Sequence, residues 1–229
     1  MTADPRRVRA IHRRLLRHFG SLEPPRQSDP LEELILTVLS QNTSDANSFR
    51  AYDSLRVRFP TWEAVAMARP SQVASSIRSG GLSNVKAPRI LAILRAIDER
   101  EGHLDLSHLR RLSDADARDY LTSLPGVGPK TAAVVLAFSL GRPALPVDTH
   151  VHRVAGRLGL IEPKSSAAKA QDILESITPP DIRVAMHVGL IRLGREICKP
   201  GRPLCEMCPL VDLCPTAPKV LGTKVRGPA

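Results

Sequence analysis

The amino-acid sequence predicts an all-α fold. Apolar residues recur at helical spacing along almost the whole chain, and no convincing strand alternation occurs. Several of these segments start at residues that favour helix beginnings, such as Asp29-Pro30, and most end at glycine or proline. Hydrophobic residues make up 42% of the 229 residues, which is enough for a buried core and excludes disorder over most of the chain.

The helices can be placed in order from their apolar stripes and their ends. The first has its apolar face at Val8, Ile11, Leu15 and Phe19 and stops at Gly20. Further helices are predicted over residues 31–40, 45–59, 114–124, 167–177 and 181–197, with a longer one around 90–97 and another that begins at 148. A very apolar helix is predicted within the segment 124–141. Short helices between residues 60 and 80 complete the pattern, which contains no solenoid repeat.

The chain is strongly basic. Its 33 lysines and arginines exceed its 23 acidic residues, which gives a formal charge of +10. Such a charge on a small globular protein indicates a polyanionic partner, most often nucleic acid, although a general preference for arginine remains an alternative. The chain has no run of about 18 apolar residues, so no membrane association is expected. An intracellular protein is expected, cytoplasmic and associated with the nucleoid, because the basic N-terminal segment lacks the apolar stretch of a secretory signal.

All four cysteines fall in one short segment. Cys198, Cys205, Cys208 and Cys214 are spaced as C-x6-C-x2-C-x5-C. Disulfides are unexpected in an intracellular protein, whereas four thiolates this close together can bind one metal centre. A four-cysteine zinc site usually pairs two short knuckles, and this chain has one. The spacing favours an iron–sulfur cluster over zinc, with metal-free thiols as the third alternative.

A glycine-rich turn between two predicted helices has the features of a phosphate-binding hairpin. It reads Leu-Pro-Gly-Val-Gly-Pro-Lys-Thr-Ala over residues 124–132. Glycines at alternate positions let the backbone turn tightly and approach another molecule without a Cβ clash. The amide groups at the start of the next helix can then bind phosphate. This arrangement is typical of a helix-hairpin-helix motif, which grips the nucleic acid backbone; a simple helix–helix turn is the alternative.

These signatures, in this order, resemble the endonuclease III family of DNA glycosylases. The hairpin is followed by the sequence Val-Asp-Thr-His, whose aspartate, Asp148, stands 18 positions after Lys130, and then by the four-cysteine pattern. The segments Leu-Ser-Gln-Asn-Thr-Ser-Asp at 39–45 and Gly-Leu-Ser-Asn-Val-Lys-Ala at 81–87 also stand where the family has them. The resemblance extends over residues 31–214, which is nearly the whole chain.

The resemblance implies a bifunctional DNA glycosylase and AP lyase of base excision repair that removes oxidised pyrimidines. It places the nucleophile at Lys130 and its carboxylate partner at Asp148. A lysine amine can displace the base at the sugar C1′, form a Schiff base and permit β-elimination of the 3′ phosphate, while a carboxylate moves protons to and from it. The resemblance also implies a 4Fe-4S cluster on the four cysteines. The implied partner is double-stranded DNA with a damaged base or an abasic site, and a monomer without an obligate protein partner is expected.

Two other functions remain open. A mismatch or adenine-type glycosylase of the same superfamily would share the hairpin and the cluster, and a non-catalytic module that binds damaged DNA could use the same scaffold. Lys130 could then contact phosphate only, and Asp148 could serve only as a helix N-cap. The presence of both residues favours the enzyme, because a carboxylate beside an anionic ligand does not help simple binding.

The resemblance also implies which residues contact DNA. An apolar and a polar side chain fill the gap that the extruded base leaves in the duplex. Leu82 matches the apolar wedge. Asn42 aligns with the polar wedge, where the family usually has glutamine, and Gln41 stands one place earlier, so either residue can be the polar wedge. The backbone contacts are Gly126, Gly128, Lys130 and Thr131 of the hairpin, and Lys199 and Arg202 of a basic loop between the first two cysteines.

The architecture that the resemblance implies is two helical lobes with a cleft between them. A helical bundle with the wedge loops and the hairpin is expected over 24–141, and a discontinuous iron–sulfur cluster lobe over 1–23 plus 142–218. Lys130 and Asp148 are expected to face each other where the lobes meet. Residues 219–229 contain no acid and are expected to form a flexible basic tail.

Overall fold

The computed structural model describes residues 4–23 and 28–222, and all regular secondary structure among them is helical, which confirms the predicted all-α fold. In chain order the α-helices are α1 (Pro5–Phe19), α2 (Pro30–Ser40), α3 (Asp45–Arg58), α4 (Trp62–Ala66), α5 (Pro70–Ser76), α6 (Ser83–Glu101), α7 (Asp114–Thr122), α8 (Pro129–Phe138), α9 (Thr149–Arg157), α10 (Ala167–Ile177), α11 (Arg183–Glu196) and α12 (Ala217–Leu221). Short 3-10 turns lie at Arg78–Gly80, Ser107–Arg111, Pro180–Ile182, Cys205–Met207 and Val211–Leu213. None of the described helices is long and apolar enough to cross a membrane.

The chain divides into two compact units. The continuous unit is Arg26–Arg142 and contains α2 to α8. The discontinuous unit joins Met1–Pro25 to Pro143–Ala229 and contains α1 and α9 to α12. Each unit has its own buried apolar core.

Helix α2 lies at the centre of the continuous unit. Its start is fixed by Asp29, whose carboxylate accepts hydrogen bonds from the amides of Leu31 at 2.9 Å and Glu32 at 3.1 Å. Apolar side chains on nearly all sides of the helix are buried, among them Leu34, Ile35, Val38 and Leu39. Because α2 packs against α3, α6 and α8, its last turn is held in place, and so is the start of the segment that follows it.

Helices α1, α9 and α11 form the core of the discontinuous unit. The predicted stripe of Val8, Ile11 and Leu15 is fully buried. Helix α1 packs against α11, which in turn packs against α9. Gly189 of α11 permits the close approach of α1, because a Cβ at this position would lie 3.0 Å from Cδ1 of Leu15.

Helix α12 lies in a segment for which the sequence predicted no helix. Its first turn contains Pro218, which is tolerated there, and Gly222 ends it in a left-handed conformation with φ +68°. Ala217 is buried, and both Ala217 and Val220 line the cavity that the four cysteines share. Apolar packing therefore adds to a weak local propensity. The tail predicted to be flexible from residue 219 begins inside this helix, and residues 223–229 lie outside the described residues.

Candidate functional site

The glycine-rich hairpin joins α7 to α8, as the sequence predicted. Gly126 has φ +73°, a left-handed conformation that favours glycine, and a Cβ at this position would lie 2.7 Å from Nε of Arg89. Gly128 is the N-cap of α8 with φ −95°, and no described atom beyond its chain neighbours lies within 4 Å of a Cβ built there. Gly126 is thus required by the fold, whereas the open side of Gly128 leaves its backbone accessible.

The first turn of α8 presents amide groups beside an amine. The first hydrogen bond within the helix end runs from the amide of Ala132 to the carbonyl of Gly128 at 3.0 Å, so the amides of Lys130 and Thr131 have no partner within the helix. The positive end of the helix dipole lies at the same place. The Lys130 side chain is half-buried. This end of α8, which carries Lys130 in its first turn, is therefore suited to hold an anion.

Asp148 is the N-cap of α9 in the discontinuous unit. Its Oδ1 accepts the amide hydrogen of Val151 at 2.7 Å, and its side chain is half-buried. The helix end therefore fixes the orientation of the carboxylate through one oxygen. Lys130 belongs to the continuous unit and Asp148 to the discontinuous unit.

The two predicted wedge positions share an unusual backbone conformation. We call residues 39–43 and 80–82 the wedge loops. Asn42 has φ +54° and Leu82 has φ +48°, and they are the non-glycine residues with positive φ in the described part of the chain. This conformation is rare for leucine and costs about 1–2 kcal/mol. Leu82 is 54% exposed and Asn42 is also exposed, so both side chains are accessible.

Gln41, the alternative polar wedge, is bound by the protein itself. Its Oε1 accepts a hydrogen bond from Nη1 of Arg89 in α6 at 2.8 Å, and its side chain is half-buried. The aliphatic part and Nε of the same arginine lie against Gly126 of the hairpin. Of the two candidates, Asn42 therefore has the side chain that is more available to another molecule.

A buried lysine for which the sequence predicted no role connects the wedge loops. Lys86 is 2% exposed, and its Nζ donates to the carbonyl of Leu39 at 2.6 Å and to that of Gly80 at 2.7 Å. Burial lowers the pKa of Lys86. A signal was visible in the sequence, since Lys86 stands four and eleven positions before Ile90 and Ile97, on the apolar stripe of its helix.

All four cysteines line one cavity in the discontinuous unit. We call Cys198–Cys214 the cysteine loop; it begins after α11 and contains two 3-10 turns. The cavity is lined by Cys198, Cys205, Cys208 and Cys214, together with apolar residues of α9, α11 and α12. Each cysteine is half-buried and none forms a disulfide. The structure thus brings together the four candidate ligands that the sequence predicted.

The chemistry of this donor set suits a cationic centre. Burial, followed by the charges of Cys214 and Cys198, raises the pKa of the Cys205 thiol, and burial with the other cysteines likewise raises the pKa of Cys208. A bound cation would offset this repulsion between thiolates. Among residues 4–23 and 28–222, no three cysteine, histidine or acidic side chains form a group that could hold a single metal ion. An iron–sulfur cluster is held by four cysteine thiolates, and the four cysteines that line this cavity are a donor set that fits such a group.

Arg157 at the end of α9 fastens the first part of the cysteine loop. It donates from Nη1 to the carbonyl of Lys199 at 2.8 Å and from Nη2 to that of Pro200 at 2.7 Å, and Nη1 lies 3.3 Å from Sγ of Cys198. The predicted contact residues Lys199 and Arg202 are both exposed. The loop therefore has a fixed backbone and accessible cations.

Comparisons with known proteins agree on the family. Residues 35–180 match the family described as HhH-GPD superfamily base excision DNA repair protein. The chain is 36% identical over 189 residues to endonuclease III of Thermotoga maritima, which covers 82% of this chain and 84% of that protein. It is 35% identical over 187 residues to endonuclease III of Bacillus subtilis, which covers 82% of this chain and 81% of that protein.

The fold also matches a solved structure over nearly its whole length. That structure is a trapped covalent intermediate of endonuclease III with DNA, an estranged-adenine complex, with a TM-score of 0.83 and 31% identity over 96% of this chain and 99% of that chain. The resemblance predicted from the hairpin, Asp148 and the cysteine pattern is thereby confirmed. The chain belongs to the endonuclease III family, within the HhH-GPD superfamily of base excision DNA repair proteins.

Proposed function

We propose that this chain removes oxidised pyrimidines from duplex DNA and cleaves the strand at the resulting abasic site, with Lys130 as the nucleophile and Asp148 as its proton-transfer partner. As a member of the endonuclease III family it is a DNA glycosylase and AP lyase of base excision repair. The observation that carries the proposal is the half-buried Lys130 in the first turn of α8, where the amides have no helical partners.

Duplex DNA is the partner that these features support. The solved structure similar to this chain contains endonuclease III covalently attached to DNA. The amides at the start of α8 and the formal charge of +10 suit a phosphate backbone. The monomeric state, the intracellular location and the meeting of Lys130 with Asp148 stay predictions.

In the proposed reaction the amine of Lys130 first acts as the nucleophile and then, as a Schiff base, as the acceptor of electrons. Its neutral form attacks C1′, the bond from C1′ to the base breaks, and the base leaves with a proton. The C1′–O4′ bond then breaks, O4′ takes a proton, and the nitrogen forms a double bond to C1′. The resulting Schiff base draws electrons from the adjacent C2′–H bond, so that loss of this proton expels the 3′ phosphate. Water then releases the lysine.

Asp148 has the chemistry to move the protons in this sequence. As a carboxylate it accepts a proton from the ammonium of Lys130 and stabilises positive charge on the sugar while the base departs. The hydrogen bond from the amide of Val151 keeps one oxygen in place. The N-cap role and the catalytic role are therefore compatible.

Base extrusion is assigned to the wedge loops. We propose Leu82 as the apolar wedge and Asn42 as the polar one, because both are exposed whereas Gln41 is tied to Arg89. The amide of Asn42 can hydrogen-bond to the base that loses its partner.

We propose that the four cysteines hold a 4Fe-4S cluster, which when bound cross-links the cysteine loop. The shared cavity and the single short Cys-x2-Cys pair support it over zinc. Lys199 and Arg202 would then present their charges to DNA phosphates. Iron content and a broad absorbance band at about 400 nm test the cluster; a colourless protein with one zinc would overturn it.

Borohydride trapping tests the function. The protein is incubated with duplexes that contain thymine glycol, a G:T mismatch, adenine opposite 8-oxoguanine, or an abasic site, and reduced adducts are separated on a denaturing gel. We expect adducts with thymine glycol and the abasic site, loss of both in Lys130→Ala, and slower formation in Asp148→Asn. Lys169→Met is the control, because Lys169 is an exposed residue of α10.

Three outcomes would contradict the proposal. An adduct that persists in Lys130→Ala would assign the nucleophile to another amine. Tight binding with neither an adduct nor release of a base would indicate a binding module, and base release confined to the mismatch or to adenine would indicate the other glycosylase class.

A further inference from the structure

The ammonium of Lys86 is buried where an apolar side chain would fill the same space. Lys86 faces the core of the continuous unit with 2% of its surface exposed. Removing a charge from water is unfavourable unless hydrogen bonds replace those with water. Two carbonyl oxygens, those of Leu39 and Gly80, provide such bonds at 2.6 and 2.7 Å. The lysine thus supplies two donors that leucine or methionine would lack.

Those two carbonyls belong to different wedge loops. Leu39 lies three residues before Asn42, and Gly80 lies two residues before Leu82. The two carbonyls are 41 positions apart in the sequence, yet they share one donor atom. Lys86 therefore joins the polar wedge loop to the apolar one.

Both loops contain the strained backbone described above. A left-handed conformation at Asn42 and Leu82 persists only where the surrounding structure fixes it from several sides. Lys86 acts on both loops from inside the bundle, and its own amide bonds the carbonyl of Leu82 at 2.9 Å. Arg89, one helical turn further on, holds Gln41. The first half of α6 therefore fixes the wedge loops at several points.

We propose that Lys86 is a positioning residue for base extrusion, which locks the two wedge loops together so that Asn42 and Leu82 enter the duplex as one rigid device. The inference rests on the proposed wedge roles of these two residues. Lys86 touches neither the sugar nor the base in this proposal. Its removal is expected to impair extrusion and to leave the chemistry at Lys130 intact.

The test compares Lys86→Met with Lys86→Gln and with the exposed control Lys169→Met. Methionine keeps the apolar stem and removes both donors, whereas glutamine keeps two N–H donors without the charge. Single-turnover rates at saturating enzyme are measured on three duplexes. The first has thymine glycol paired with adenine, the second has thymine glycol opposite an abasic site and therefore without a partner base, and the third has an abasic site in place of the lesion. Fluorescence of 2-aminopurine beside the lesion reports extrusion directly.

We expect Lys86→Met to slow excision of the paired lesion about 10- to 100-fold and to reduce the 2-aminopurine signal, because small misplacements of positioning groups have effects of this size. The lesion without a partner and the abasic site should be affected less, and Lys86→Gln should recover part of the loss. Lys169→Met should behave as wild type.

Other outcomes would overturn the inference. Wild-type extrusion in Lys86→Met would do so, as would equal losses on all three substrates. Failure of both Lys86 variants to fold would make Lys86 a residue of general stability. If wild type itself releases no base and forms no adduct, the proposed function fails. The inference about Lys86 can still be tested in that case, because 2-aminopurine fluorescence compares base extrusion by wild type and by Lys86→Met.

Discussion

The wedge loops and the cysteine loop are both irregular segments assigned to DNA contact, and they differ in how their backbone is held. Peptide carbonyls without a helical partner, including those in the last turn of a helix, need donors wherever water is excluded. In the wedge loops one buried ammonium, that of Lys86, serves two carbonyls from separate parts of the chain. In the cysteine loop the half-buried guanidinium of Arg157 serves consecutive carbonyls of a single stretch.

The difference follows from the shapes of the two cations. A lysine ammonium is a compact charge with three rotatable donors, so it can sit between two loops inside a core. A guanidinium is a flat fork whose donors point in fixed directions, which suits neighbouring carbonyls at a surface. The wedge loops store backbone strain and are joined to each other through one buried residue, while the cysteine loop has several arginine contacts beside its proposed cluster.

The largest effect on stability is expected at Arg157. Arg157→Met should lower the free energy of unfolding by about 2–4 kcal/mol, because charged hydrogen bonds to Lys199 and Pro200 are lost together. Thermal unfolding measures the loss, and limited proteolysis should locate new cleavage between residues 198 and 205.

Arg157→Lys is the matched variant. Lysine keeps the charge but lacks the several fixed donors of the guanidinium, so the free energy of unfolding of Arg157→Lys should lie between those of wild type and Arg157→Met. A free energy of unfolding equal to that of wild type in both variants would show that Arg157 does not hold the cysteine loop, and would leave that role to the proposed cluster.

A smaller effect is expected at the hairpin, where two glycines have different roles. Gly126→Ala should destabilise the chain by about 1–2 kcal/mol, because alanine is strained at φ +73° and its Cβ would displace Arg89. Gly128→Ala should leave the unfolding midpoint unchanged, because φ is −95° and the space is open. Unfolding in urea compares the two variants.

The same pair separates folding from DNA contact. Gly128→Ala is expected to weaken binding to duplex DNA, because its new methyl group stands where a phosphate approaches the amides of α8. Unchanged binding in Gly128→Ala, or equal stability of the two variants, would contradict the assignment of one glycine to the fold and the other to the ligand.

The fold and the family could be predicted from local patterns. Helix stripes such as Val8, Ile11 and Leu15 identify buried faces, and the hairpin glycines stand at fixed spacing from Lys130. These signals are short-range, so sequence alone carries them. Helix α12 could not be predicted, because its weak propensity is supplemented by packing of Ala217 beside the cysteine cavity.

The residues that hold the loops could not be predicted either, because their role depends on tertiary packing. Lys86, Arg89 and Arg157 each form a side-chain hydrogen bond to a residue 42 to 48 positions away, and Lys86 also bonds Gly80, six positions away. No periodicity encodes which carbonyl faces which cation once the helices have packed. Of these three residues, Lys86 alone is marked by a pattern in the sequence, because it places a charge on the apolar stripe of α6.

The smallest expected effect concerns the strain in the wedge loops, and it is an increase in stability where the earlier substitutions cause a decrease. Leu82→Gly should raise the free energy of unfolding by about 0.5–1 kcal/mol, because glycine adopts φ +48° without a Cβ penalty while its greater entropy in the unfolded chain offsets part of the gain. Leu82→Ala removes the wedge but keeps the penalty, so it should show no gain. Both variants should lose excision of paired thymine glycol. The difference in thermal unfolding between glycine and alanine then measures the strain at Leu82 less the extra entropy of glycine in the unfolded chain. A glycine variant no more stable than the alanine variant would mean that the strain at Leu82 does not exceed the entropy of glycine in the unfolded chain. Lys86 would then hold the wedge loops together without holding them under large strain.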